Sequence, residues 1–147
     1  MIYYGVQLPP NILVRIALYE DQFPTGIPGG DLALYVNKMV STHQGILFYF
    51  DNTFILVYGN RHTVRVEVRS SDTVFTILRH AKYVYDWLLS STTYTRIESS
   101  TINKNLALVL TKRIKGIKME GIRQKAIPTE QGEWKDEYLL AVIREDV

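Results

Sequence analysis

The carboxylate best placed for acid–base work is Glu67. In the run Thr63–Arg69 it shares one side of a strand with Arg65 and Arg69, while Val64, Val66 and Val68 take the other. A strand glutamate can serve as a general base through water. Flanked by two arginines, it serves equally as a cross-strand ion-pair partner. The chain has no cysteine, which excludes disulfides, thiolate catalysis and cysteine-ligated zinc. His43, His62 and His80 show no metal-ligand spacing, so no metal site is expected. Ser70, Ser71, Ser90, Ser91, Ser99 and Ser100 read as caps and loop residues, since none sits in a Gly-x-Ser-x-Gly elbow. Tyr83, Tyr85 and Trp87 share a helical stretch with Arg79 and Lys82, a combination able to stack on nucleic acid. At helical spacing Tyr85 joins the apolar stripe, whereas Tyr83 and Trp87 fall off it. An exposed Trp87 would anchor a protein partner.

The frame that must position these residues is 147 residues long, enough for one domain over residues 1–147 with a core that needs no disulfide or metal. Hydrophobic residues at 46% and charged ones at 22% exclude a disordered chain. The start, MIYYGVQLPPN, lacks a basic region followed by an apolar one. The longest apolar runs, such as Ile46–Phe50, are too short to span a bilayer, so a cytoplasmic protein without membrane contact is expected. Charge is unevenly placed. Residues 61–125 carry thirteen basic and five acidic side chains, against a net charge of +2 for the whole chain. Such a segment attracts nucleic acid or another anion, or forms solvated faces.

Ile2 to Leu8 reads as a first strand closed by Pro9-Pro10. Asn11 then caps a helix to about Glu20, over Ile12, Val14, Ile16 and Leu18. Phe23–Gly30 is a turn-rich loop, and Asp31 caps a second helix whose apolar face is Leu32, Leu34, Tyr35, Met39 and Val40. GILFYF, TFILVY and HTVRVEVR, separated by Asp51-Asn52 and Gly59-Asn60, form a three-stranded meander. Ser71 or Asp72 caps the longest helix, with Val74, Ile77, Leu78, Ala81, Val84, Tyr85, Leu88 and Leu89 at three- and four-residue spacing. Tyr94–Thr101 is a strand. Asn103 or Asn105 caps a shorter helix stopped by Gly116, and strands Ile117–Ile127 and Tyr138–Arg144 follow. The fold class is α/β with a mixed sheet of α+β type, ordered β-α-α-β-β-β-α-β-α-β-β. One crossover, from Thr63–Arg69 to Tyr94–Thr101, is parallel and right-handed.

That order, with Asn105, Gly116-Ile117, Glu120-Gly121, Arg96-Ile97-Glu98 and the run Gly132–Leu140, resembles the GNAT (Gcn5-related N-acetyltransferase) superfamily. The layout covers nearly the whole chain, and the residue matches lie within about 94–144. The resemblance implies a coenzyme A site at the loop between the fourth strand and the next helix. There the family carries Gln/Arg-x-x-Gly-x-Gly/Ala, whose backbone amides bind pyrophosphate at a helix N-terminus. Asp72, Thr73, Val74, Phe75, Thr76 and Ile77 fall on that loop, and Asn105 begins the later helix. The glycines are missing. Thr73 and Thr76 hydroxyls could assist a phosphate, whereas Asp72 reads as an N-cap and Val74 and Ile77 as core. The family's general-acid tyrosine falls at Lys112, and Glu67 takes the place of a general base.

Three functions follow from this resemblance and the charge pattern. The first is a GNAT-fold protein that has lost acetyl transfer, needs no cofactor and serves as a binding or assembly component. In this it is similar to small GNAT-like proteins of tailed bacteriophages, and it would lie in the cytoplasm or within a phage particle. The second is an acetyl-CoA-dependent N-acetyltransferase acting on an amine. The third is a nucleic-acid binder using the 61–125 segment. A protein partner is expected on the first reading, and self-association would be one form of it.

Overall fold

The computed structural model describes residues 1–19, 32–129 and 131–146. The expected Phe23–Gly30 loop, the Asp31 cap and the end of the first helix at Glu20 lie outside these residues. The described elements run β1 (Ile2–Tyr3), α1 (Pro10–Ala17), α2 (Leu32–Ser41), β2 (Gly45–Phe50), β3 (Thr53–Gly59), β4 (Thr63–Ser70), α3 (Val74–Ser91), β5 (Arg96–Thr101), α4 (Lys104–Arg113), β6 (Ile117–Pro128) and β7 (Trp134–Ile143), with a closing 3-10 turn at Arg144–Asp146. The mixed α/β order expected from the sequence is the one observed.

The strands form one seven-stranded sheet in the order β1-β2-β3-β4-β5-β7-β6. All neighbours are antiparallel except β4 and β5, which α3 joins as a parallel crossover. Helices cover both faces. On β3, Ile55 and Val57 point to a core shared with Val84 and Leu88 of α3 and Leu110 of α4. The alternate residues Phe54 and Leu56 point to a second core with Ile12, Ile16, Val36 and Val40 of α1 and α2. Period-two alternation on one strand thus builds two cores. A fully buried Leu such as Leu88 contributes roughly 2 kcal/mol.

Several boundaries differ from expectation. The first strand is only Ile2–Tyr3. Helix α1 begins at Pro10, with Pro9 rather than Asn11 as its N-cap. Proline suits a first helical position because its missing N–H would have had no partner there. Val14 and Leu18 are exposed at 65% and 76%, so the buried stripe is Ile12 and Ile16 alone. In α2 the buried set is Leu32, Val36 and Val40, with Leu34 and Tyr35 outside it. Strand β5 starts at Arg96, two residues later than expected. Trp87 is not an exposed anchor. Its ring packs edge-on against Phe48 at 5.2 Å and completes the α3 core.

The end of α3 is held by a residue with no sequence signature. Arg144 donates to the carbonyls of Leu88, Leu89, Thr92 and Tyr94 at 2.5–3.3 Å. One guanidinium thereby reaches the Leu89 carbonyl and those of the turn after the helix, and adds a donor to Leu88, which already accepts from Thr92. At the end of α4, Gly116 adopts φ +91°, a conformation that lets the chain reverse into β6.

Candidate functional site

The site is a wedge between β4 and β5. Their ladder runs Thr63↔Arg96, Val64↔Ile97, Arg65↔Glu98 and Val66↔Ser99, and stops there. Both strands continue, β4 to Ser70 paired with β3, and β5 to Thr101 paired with β7. Glu67 and Val68 therefore face Ser100 and Thr101 across a gap without sharing a rung. Strand edges left this way offer N–H and C=O groups to a ligand.

A cavity opens on each face of the sheet at this gap. The one on the α3/α4 side, about 250 Å³, is lined by Val66, Val68, Ile77, Tyr85, Ser99 and Leu106 among others. The one on the α1/α2 side, about 360 Å³, is lined by Tyr58, Arg65, Glu67, Arg69, Ser100 and Glu137 together with apolar side chains. Both are bordered by Val66, Val68, Ser100, Thr101 and Ile102, so they meet at the divergence of the strands. Their chemistry differs. The helix-side cavity is mostly apolar, and the opposite one is charged.

Glu67 is the hub of the charged cavity. Its Oε1 accepts a 2.6 Å hydrogen bond from the Tyr58 hydroxyl and lies 3.6 Å from Arg65 Nε, while Oε2 lies 3.5 Å from Arg69 Nη2. Arg65 also donates to Ser100 Oγ at 2.8 Å, and Ser100 donates to Glu137 at 3.0 Å. Arg69 is 4% exposed. Burial draws its pKa down, and the Glu67 carboxylate acts the other way. Burial, then the hydrogen bond to Glu67, pushes the Tyr58 phenol well above its ordinary value. The ion-pair role of Glu67 is thus realised along its own strand, with Tyr58 as its cross-strand partner. The carboxylate also lines the charged cavity.

On the helix side, the Tyr85 hydroxyl meets Ser99 Oγ at 2.9 Å. Burial pushes the Tyr85 pKa up to about 12. Tyr85 does sit in the core stripe, and its oxygen reaches the last rung of the β4–β5 ladder. The sequence pattern missed this role, along with those of Tyr58, Ser100 and Glu137. The signal available was the polar Ser99-Ser100 pair within a strand whose parallel partner carries Val64, Val66 and Val68.

The loop before α3 differs from both expected caps. Thr73 is the N-cap, accepting from the Thr76 amide at 3.4 Å. Asp72 turns instead to β3, where Thr53 donates to its carboxylate at 2.5 Å. Phe75 is 74% exposed and lies outside the wedge. Val74 is half-buried, and Ile77 borders the helix-side cavity rather than joining the core. In α4 the N-cap is Asn103, whose side chain accepts the Leu106 amide at 3.0 Å. Asn105 is exposed one residue into the helix. Lys112 is exposed on the last turn of α4 and borders neither cavity. The structure therefore brings Glu67 and Ile77 to the wedge, sets Asp72, Thr73, Val74, Phe75 and Thr76 on the turn into α3 outside both cavities, and leaves Lys112 apart.

The basic segment is partly neutralised in place. Arg65 and Arg69 pair with Glu67, and Arg96 pairs with Glu98 and Glu120. Among the described residues, no group of three potential ligands is placed to hold a metal ion, and no helix is long and apolar enough to cross a membrane.

No protein-family model and no curated protein sequence matches the chain. Solved structures do. A GNAT-family acetyltransferase from Bacillus anthracis aligns over 99% of both chains at 19% identity and a TM-score of 0.66. A ribosomal-protein-S5-alanine acetyltransferase from Vibrio fischeri aligns over 96% of this chain and 92% of its own at 17% identity and a TM-score of 0.70. Spermidine N-acetyltransferase from Vibrio cholerae, solved with CoA and spermine, covers 99% and 96% at 11% identity and a TM-score of 0.75. These structures share the architecture of this chain over nearly its whole length, and this chain has the GNAT acetyltransferase fold.

Proposed function

We propose that the chain binds an acyl thioester of the coenzyme A type in the wedge and passes its acyl group to an amine held in the charged cavity. The observation that carries this reading is the end of the β4–β5 ladder at Val66↔Ser99, with cavities meeting there from both faces. The strand edges at Glu67–Val68 and Ser100–Thr101 suit the amides of a pantetheine arm, and Val66, Val68 and Leu106 suit its methylenes. The thioester would supply the activated acyl group. Glu67, anchored by Tyr58, is the carboxylate that borders the acceptor cavity and takes an ammonium proton through water. Phe75 leaves the wedge open.

A second reading has its own observation. With Val74 and Phe75 in place of compact residues and Lys112 away from the wedge, the chain would keep the fold as a binding or assembly component without transfer. Calorimetric titration with acetyl-CoA decides between the two. Saturable one-to-one binding is expected. No heat at millimolar ligand would overturn the thioester reading and leave the second. Release of thiol in the presence of a panel of primary amines then tests transfer.

A further inference from the structure

We infer that the wedge recognises the acyl-pantetheine arm alone, and that the nucleotide half of coenzyme A adds no stabilising contact. This deepens the proposed thioester site and rests on it.

The nucleotide half would have to be held through its pyrophosphate at the start of α3, where four of the seven amides from Ser71 to Ile77 are committed. The Ser71 amide donates to Asn52 O at 3.0 Å and the Asp72 amide to Ser70 Oγ at 2.9 Å. Those of Thr76 and Ile77 both go to Thr73, at 3.4 and 3.0 Å. Among the described residues this leaves the Thr73, Val74 and Phe75 amides without an acceptor. An anion cradle needs several convergent amides and a backbone that can approach the ligand. Here each remaining amide belongs to a residue with a β-branched or aromatic side chain. The segment Val74–Ile77 has no lysine or arginine, and the Asp72 carboxylate stands just before it, fixed by Thr53. A pyrophosphate at this turn would meet the like charge of Asp72.

The wedge is built in the opposite sense. Glu67, Val68, Ser100 and Thr101 face one another without a shared rung, beside an apolar cavity of about 250 Å³. A chain carrying two amides and several methylenes matches it, as an added strand matches a sheet edge. The binding surface therefore lies at the arm and ends before the diphosphate. The donor class is an acyl phosphopantetheine thioester, whose source is either free coenzyme A or the prosthetic arm of a carrier protein.

The test is calorimetric titration of the full chain with three probes: acetyl-CoA, S-acetyl-4′-phosphopantetheine, and a carrier protein bearing an acetylated arm. Dissociation constants for the first two are expected to agree within tenfold. Acetyl-CoA binding more than tenfold tighter than the arm would overturn the inference and leave the thioester site standing. No binding of any probe would overturn both. Given agreement of the first two, binding of the loaded carrier but not the same carrier without its arm assigns the protein-borne source. Failure of the loaded carrier assigns free coenzyme A with its nucleotide half in solvent.

Discussion

Val66 on β4 and Ser99 on β5 form the last rung of the one parallel pair in the sheet, and the Tyr85 hydroxyl reaches Ser99 Oγ at 2.9 Å from the helix that crosses between those strands. The point where backbone pairing ends is thus braced from the helix layer. Beyond it, the strands are held apart by their other neighbours, β3 and β7.

The wedge can be blocked from α3. Ile77→Trp places an indole beside the helix-side cavity and is expected to weaken acetyl-CoA binding at least tenfold. Phe75→Trp, on the exposed outer side, should leave the dissociation constant within about twofold. Titration calorimetry on both variants reads the difference; equal losses would misplace the cavity.

The α4 caps separate two asparagines that look alike in sequence. Asn103→Ala removes the acceptor of the Leu106 amide and should cost about 1 kcal/mol in urea unfolding. Asn105→Ala, exposed within the helix, should stay within about 0.5 kcal/mol.

Arg144 is expected to matter more than its place near the C-terminus implies. Arg144→Ala removes a donor from Leu89, Thr92 and Tyr94 at and just after the end of α3, while Leu88 keeps its bonds from Thr92, and should destabilise by about 2 kcal/mol. Arg144→Lys should recover less than half, because a single ammonium cannot reproduce the planar fork. Chemical denaturation midpoints measure both.

Glu67→Gln keeps the shape of the side chain and removes the charge facing Arg65 and the buried Arg69. Glu67 is itself part-exposed, so the expected loss is about 1–2 kcal/mol rather than the full cost of breaking a buried pair. If Glu67 also takes the amine proton, thiol release with an accepting amine should fall far more than stability alone explains.

The alkaline limb of stability should carry the signature of Tyr85. Its phenol ionises near 10 in the unfolded chain and at about 12 in the folded one, so the unfolded state loses the proton first. The resulting contribution is complete below pH 10 and is lost as pH rises from 10 towards 12, by up to about 1.4 kcal/mol per pH unit. Tyr85→Phe should flatten that limb in denaturation midpoints taken at successive pH values. An unchanged slope would mean another group titrates there.

Local patterns were enough to write out the element order. The alternation of Val64, Val66 and Val68, the helical stripe through Ala81, Val84 and Leu88, and Gly116 after the short helix are all short-range consequences of backbone geometry and burial. They carried the fold class, the parallel crossover and the absence of family glycines before α3. Tertiary structure decided where the residues standing in place of those glycines lie. Phe75 could have pointed into the wedge or away from it, and it points away. Asp72 could have capped α3, yet the Thr53 hydroxyl on a neighbouring strand takes its carboxylate. Glu67 and Ser100 become neighbours of one cavity because two strands diverge after Val66↔Ser99, and Arg144 closes a helix more than fifty residues earlier. Contacts of that kind depend on where separate segments meet. No periodicity within one segment encodes them, so the wedge and its charged floor emerge only once the sheet is assembled.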